Sequence, residues 1–469
     1  MPSGRILLTV AVAVSIAASV DLRSNAGDAA PTDDQSFTLA LAGDSLITRK
    51  LSVVQNSSFN RVADLIRGAD AAFTNLEMLL HDFEPYPMNE SGGTWMRGDP
   101  VVAKELAWLG FDMVSRANNH AGDYGVEGMR LTTKYVSEAG LVQAGVGENL
   151  DEAREARFLE TPKGRVGLVS VSSTFPDHAR AGKARAGIRG RPGLNPLRFT
   201  TTYQLPADRL QALREIGREL RLDATAQNGS PGSPPSDSLR FLNGRFVAAD
   251  RPAIHTEPLA EDIEEIASVV RNSSRMADRT IVTIHAHEGS PGDRARPAEF
   301  LVTFAHAMID AGADIVAGHG PHIVRGVEIY KGKPILYSLG DFVFENDLVN
   351  RLPADAYQQE KLGPLAGVAD FDDARSDHDR RSYPADREMW ESFVALAEWH
   401  GKTLTGLTLH PLTLGFGKSR TERGRPMMAD GPLASKILDD VVQRSKPYDT
   451  QIVVADGVGR VTLSRRPGQ

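Results

Sequence analysis

From Phe37 onward, short apolar runs alternate with amphipathic stretches. "FTLALAG" (37–43) reads as a buried strand. In "FNRVADLIRGA" (59–69), Val62, Leu65 and Ile66 recur at helical spacing. "AAFTNLE" (71–77) predicts a second strand, and "PVVAKELAWLG" (100–110) a helix opening on proline in its first turn. "FDMVS" (111–115) predicts a strand, and "GVEGMRLTTKYVSEAG" (125–140) a helix closed by glycine. "RVGLVSVSS" (165–173), "TIVTIHA" (280–286), "ADIVAGH" (313–319) and "KPILYSLG" (333–340) continue the strand series. Strands alternating with helices imply an α/β fold with a largely covered sheet.

Two stretches break the pattern. Residues 226–238, "AQNGSPGSPPSDS", carry too little apolar content to order themselves and read as a loop. Residues 370–388, "DFDDARSDHDRRSYPADRE", are a dense mixed-charge run expected to be a solvated surface excursion. Leu210, Leu213, Ile216 and Leu220 share one helical face, so the interruption around the first stretch is partly structured.

The N-terminus adds a targeting signal. Arg5 precedes the apolar run "ILLTVAVAVSIAASV" (6–20), which ends in small residues before a polar stretch, the order of a secretory signal peptide. An uncleaved single-span anchor is the alternative, although the run is short for a bilayer crossing. The net charge of −8 argues against a nucleic-acid binder. A polyanionic substrate would need a local basic pocket or bound cations. The absence of cysteine removes disulfides, thiolate catalysis and sulfur-ligated zinc.

Polar side chains gather where the predicted strands end. Asp44 closes "LALAGD", and Asn75 and Glu77 end "AAFTNLE". Asn118, Asn119, His120 and Asp123 follow "FDMVS"; His285, His287 and Glu288 follow "IVTI"; His319 and His322 stand in "GHGPH". Ligands bind in the crevice outside the carboxyl ends of strands in α/β sheets. Singly, each residue has a plain reading: Asp44 suits a helix N-cap, and a lone His285 suits a core histidine. Together they offer oxygen and imidazole donors suited to Mn, Fe, Co or Zn. A carboxylate flanked by imidazoles is the makeup of two-metal hydrolytic sites, where ions about 3.5–4 Å apart activate water and clamp the displaced oxygens.

These motifs resemble the capsule-synthesis CapA family, also called the poly-γ-glutamate biosynthesis PgsA family. The matching pieces are "LAGD" (41–44), "FTNLE" (73–77), "MRGDP" (96–100), "ANNHAGDYGVEGM" (117–129), "GVGENLDEA" (145–153), "IHAHEG" (284–289) and "AGADIVAGHGPHIVRGVEIYKGKPILYSLGDFVF" (311–344). The resemblance implies a calcineurin-like metallophosphoesterase fold, a layered α-β-β-α sandwich with a helical or loop insertion. It divides the chain into a signal peptide and polar linker (1–30), a CapA-like domain (37–345) with an insertion at about 196–260, and a final part (346–465). That last part holds the mixed-charge excursion and C-terminal strands completing the same domain.

Position by position, the resemblance makes Asp44 a ligand of one metal and Glu77 the bridging carboxylate. Asn119 would bind the second ion, with His285, His319 and His322 completing the shell. His120 would be the proton donor to the leaving group, oriented by Asp123. Arg97 and Arg116, next to matching motifs, are the expected holders of an anionic group, with a surface role equally open for Arg97. The departures are Leu46 where the superfamily places a histidine, a His-x-x-His in place of His-x-His, and Asp341 in "GDF" where the family has asparagine. Asp341 or Glu288 is expected to compensate for the missing histidine. The implied function is that of an exported metal-dependent hydrolase using one or two divalent ions. It would act on an anionic polymer or its precursor, beside a membrane capsule-synthesis complex. The alternative is a non-catalytic accessory of polymer assembly or export.

Overall fold

The computed structural model describes residues 36–222 and 237–463. The expected signal peptide and most of the 226–238 loop lie outside these residues. Among them the fold is mixed α/β, built on a ten-stranded and a six-stranded sheet with smaller sheets attached. In the first sheet the strand Ser36–Leu46 runs parallel to Ala71–Leu76, which is followed by Met113–Ser115 and Val142–Ala144, also parallel. On its other side the C-terminal strands Glu391–His400 and Thr403–Thr413 add antiparallel. In the second sheet Gly164–Ser172, Arg279–His285 and Ile315–His319 lie side by side and parallel.

Strand periodicity explains how the sheets stack. Along Ser36–Leu46, Phe37, Leu39 and Leu41 point to one face, while Ala40 and Ala42 point to the other. The first set meets Phe73 and Met113 of its own sheet and Leu168, Ile281 and Ile315 of the second, giving a core between the sheets. Ala40 and Ala42 face the helices Ser57–Arg67 and Val102–Leu109, which bury Val62, Ile66, Leu106 and Leu109 there. Val169, Val171 and Val282 of the second sheet meet Ile266, Val270, Phe300, Phe304 and Met308 of the helices Ala260–Met276 and Glu299–Ala311. Each such side chain contributes about 1.5–3 kcal/mol by leaving water. The sheets are thereby fixed from both faces, and so are the strand ends.

The expected helical or loop insertion is corrected. Strands Phe199–Leu205, Ser238–Phe241, Gly244–Ala248 and Ala253–Pro258 form a four-stranded sheet beside the helix Ala207–Glu219. Its strands are half-buried and polar, "FTTTYQL" for one, so no apolar run announced them. The mixed-charge run is corrected as well. It forms helices Val368–Ser376 and Ser382–Ala385 that bury Phe371, Asp372, Tyr383 and Pro384. Its charges are paired internally and with a later loop: Arg423 holds Asp347 and Asp379, and Arg420 holds Asp373.

Candidate metal centre

Strand register brings the distant motifs together. Asp44 sits opposite Asn75 on one neighbouring strand and Asp341 on the other, and His285 sits opposite His319. A bulge between Leu41 and Asp44 accompanies a close approach of backbones at Gly43. There a Cβ would fall 1.7 Å from the Gly340 carbonyl oxygen, so only glycine fits. Asp44 is then fixed by hydrogen bonds from the Asn75 amide (2.7 Å) and the Gly320 N–H (2.8 Å).

Asp44, Glu77, His285, His319 and Asp341 are buried, and His322 and His287 border the pocket above them. Three groups place one ligand atom per residue within 4.8 Å of one another: Asp44, His285 and His319; Glu77, His287 and His322; and Asp44, Glu77, His322 and Asp341. Glu77 Oε1 stands 3.7 Å from His285 Nε2, 3.6 Å from His322 Nε2 and 3.9 Å from His120 Nε2. Those separations are too long for hydrogen bonds and of the order kept by two ligands of one ion.

The polar atoms left without a hydrogen-bond partner are the strongest sign of fit. Among the described residues they include both Glu77 carboxylate oxygens, the Asn119 side-chain oxygen, His319 Nε2 and Asp341 Oδ2. A buried acceptor with no donor is costly, and three clustered carboxylates with no lysine or arginine among them are costlier. A divalent cation satisfies both demands, and the O/N donor set suits it.

Ionisation shows the same strain. Burial, then the Asp44 and Asp341 carboxylates, push Glu77 well above the usual carboxylate range. Burial raises Asp341 to about 6 against the pull of His322. Burial also holds His285 and His287 far below the usual imidazole range, and His319 at about 3. His322 is raised instead, because Asp341, 2.8 Å away, outweighs its burial. Burial thus favours the neutral form of His285, His287 and His319, the form that binds metal, while His322 shares its proton with Asp341.

Beside this cluster, the turn Asn119–Gly122 carries the expected proton donor. His120 Nδ1 lies 2.7 Å from Asp123 Oδ2, leaving Nε2 toward Glu77. Asp123 is itself held by the N–H groups of Gly92 (2.9 Å) and Met96 (2.8 Å). Gly92 also accepts from the Asn119 amide, turning the Asn119 oxygen away from that contact. A Cβ on Gly92 would come within 2.6 Å of Asn119 backbone atoms, so the loop can press on the turn only through glycine. Asn118 ties the turn to its strand by donating to the Leu76 carbonyl oxygen.

Asp44, Glu77, Asn119, His120, Asp123, His285, His319 and His322 are all brought together. Arg97 and Arg116 are not. Arg97 donates to the His81 carbonyl oxygen and Asp82, and Arg116 is buried against Gln143 and the Met129 carbonyl oxygen. Neither lines the pocket, because being next to a motif in sequence did not aim their side chains at it. Of the two compensating residues, Asp341 joins the cluster, while Glu288 accepts from the Ser173 and Thr174 hydroxyls. Leu46 is on the pocket wall.

His287 joins the cluster without having been singled out as a ligand. Two residues after His285, it would share that residue's face only if the strand continued through it. The strand ends at His285, however, and the chain turns His287 Nε2 to within 3.1 Å of His285 Nε2. A similar turn at "GHGPH" puts His322 at a φ of 57°, which aims it back at Asp341.

The model of the family described as "Bacterial capsule synthesis protein PGA_cap" matches residues 38–346. Protein y4sH of Sinorhizobium fredii is 35% identical over 443 residues, covering 91% of this chain and 93% of its own. The capsule biosynthesis protein CapA of Bacillus anthracis is 24% identical over 320 residues, 67% of this chain and 61% of that one. A probable polyglutamine synthesis accessory protein of Mycobacterium tuberculosis, Rv0574c, is 35% identical over 147 residues, 30% and 35% of the two chains.

Proposed function

The chain belongs to the bacterial capsule synthesis family PGA_cap, and we propose that it is a metal-dependent hydrolase of the calcineurin-like metallophosphoesterase type, exported and acting on an anionic polymer or its precursor. The observation that carries this reading is the set of buried, unpartnered lone pairs on Glu77, Asn119, His319 and Asp341 beside an oriented His120. Helices packed outside two face-to-face sheets support the layered assignment.

Asp44, Glu77, Asn119, His285, His287, His319, His322 and Asp341 would hold one or two divalent ions. When bound, such ions polarise the scissile group, lower the pKa of a water and offset charge on the displaced oxygens. His120 carries its transferable proton on Nε2, because Asp123 occupies Nδ1. Asp123 fixes the ring's orientation. The protein wall excludes bulk water from the buried carboxylates, strengthening each electrostatic contact.

Reconstitution with Mn, Fe, Co or Zn, followed by turnover on phosphodiester and γ-glutamyl substrates, tests the reading. A protein that binds metal stoichiometrically and hydrolyses neither class is the accessory of the alternative reading. The substitution of Leu46 for a histidine, which removes one ligand, is the observation on that side. Export through cleavage between about Ala18 and Ala30 is part of the proposal. N-terminal sequencing of protein recovered outside the cytoplasm tests it, and intact Met1 in the membrane fraction contradicts it. Within the described residues no helix is long and apolar enough to cross a membrane.

A further inference from the structure

The pocket above the metal cluster has a roof that lies outside the matched residues 38–346. The cavity, of about 250 Å³, is floored by Asn119, His120, His287 and His322. Arg375, Ser382 and Tyr383 come to its lining from the helices Val368–Ser376 and Ser382–Ala385. Arg375 is the one lysine or arginine among the described residues that line it.

Other arginines of this region are committed. Arg380 pairs with Asp377, Arg420 with Asp373, and Arg423 with Asp347 and Asp379. Arg381 donates to the backbone carbonyl oxygens of Ala374 and Arg375. Arg375 forms no ion pair among the described residues. Its Nη1 donates to the Thr94 hydroxyl, and its guanidinium stands 5.6 Å from the centre of the Tyr383 ring. Asp372 feels its charge without pairing with it. A guanidinium has five N–H donors, so most of this one's capacity is unspent.

The backbone that carries it is set at a cost. Asp377, His378, Asp379 and Ser382 hold φ values of 50, 53, 64 and 60°, in the left-handed region that side chains disfavour. Arg423 and the Ser376 hydroxyl, both bonded to Asp379, keep the segment there. The connection between the two helices thus folds back on itself just below Arg375.

Resting on the hydrolase reading above, we propose that Arg375 determines substrate specificity by receiving an oxyanion, carboxylate or phosphoryl, that the substrate carries beside the bond it presents to the metal cluster. The planar donor fork matches either group bidentately. A γ-glutamyl chain has such a group in the α-carboxylate of each unit, and a phosphorylated precursor has one in a second phosphoryl group.

Calorimetric titration of the metal-loaded full chain tests this without requiring turnover. The probes are tri-γ-glutamate, the same peptide with its α-carboxyls amidated, and inorganic pyrophosphate. Wild type should bind at least one anionic probe, and Arg375→Ala should weaken that binding by roughly 10- to 100-fold, the worth of a hydrogen bond to a charged group. The probe that loses affinity identifies the source of the oxyanion. Arg375→Lys should recover part of the loss, and metal content should not change. Arg375→Gln, which keeps a donor for Thr94, should show the same loss as Arg375→Ala and guards against a folding artefact. The proposal is overturned if wild type binds neither anion, if the variants bind both as wild type does, or if the amidated peptide loses affinity equally. Intact, Arg375-dependent binding without any hydrolysis would instead remove the enzyme reading and with it the specificity role, leaving Arg375 only as the oxyanion-binding residue of a non-catalytic accessory.

Discussion

The floor and the roof of the pocket are built by opposite means. The floor residues Asn119, His120, His287 and His322 stand on turns just past the ends of parallel strands belonging to two sheets, which are clamped between apolar cores on either face. Asp44, Glu77, His285 and Asp341 are wholly buried there. The roof is two short helices joined by left-handed backbone and tied down by Arg420 and Arg423. Its half-buried Arg375 reaches the cavity from above. Metal ligands must hold fixed separations, which packed strands supply. A residue that reads the rest of a substrate tolerates more play, which a charge-tied loop supplies. On the proposed reading, chemistry belongs to the floor and selection to the roof.

The contrast can be broken most severely at the floor. His319→Ala or Asp44→Ala should lose the ion and turnover together, a larger loss than any other substitution, measured by metal analysis and initial rates. His120→Ala should leave metal content intact and lower turnover by roughly 10²–10⁴. Its loss should be smallest for substrates with good leaving groups, which need little protonation. Should it strip the metal instead, His120 belongs to the ligand set. Asp123→Asn should cost about 10–100-fold, the usual effect of a residue that orients another.

Acidification gives a milder effect with a defined sign. Glu77, Asp341 and His322 all hold their protons above their ordinary ranges in the metal-free site. Protons therefore compete with the ion below those raised values, and metal affinity should fall as the pH drops from about 8 to about 6. Titration of metal at the two pH values checks this; an affinity independent of pH contradicts it. The smallest effect on chemistry belongs to the roof. Arg423→Ala leaves buried Asp347 facing only Arg420, 3.9 Å away, and should cost about 3 kcal/mol in denaturant unfolding with metal content unchanged.

The floor was largely legible in the sequence because its strands are apolar runs that stop at polar residues. A period-two pattern says where each strand ends and hence what stands at its edge. His287 escaped because it lies just past the last strand residue, where periodicity no longer says which way a side chain points. The roof escaped for a different reason. Its helices are mixed-charge segments with little apolar periodicity, and "DFDDARSDHDRRSYPADRE" reads as solvated until Phe371 and Tyr383 are seen buried. Arg116 shows the limit of motif adjacency: it follows the strand Met113–Ser115 directly, yet its guanidinium turns to Gln143 and the helix Gly125–Glu138.

Metal stoichiometry after reconstitution bears most directly on the strand-end cluster. Purified protein, stripped with chelator and reloaded, should retain about one or two divalent ions per chain. Asp341→Asn should lower that affinity, and His319→Ala should abolish it while circular dichroism shows the fold unchanged. A wild-type protein that retains no ion, or a folded His319→Ala that retains as much as wild type, would show that these buried carboxylates and imidazoles do not form a metal centre.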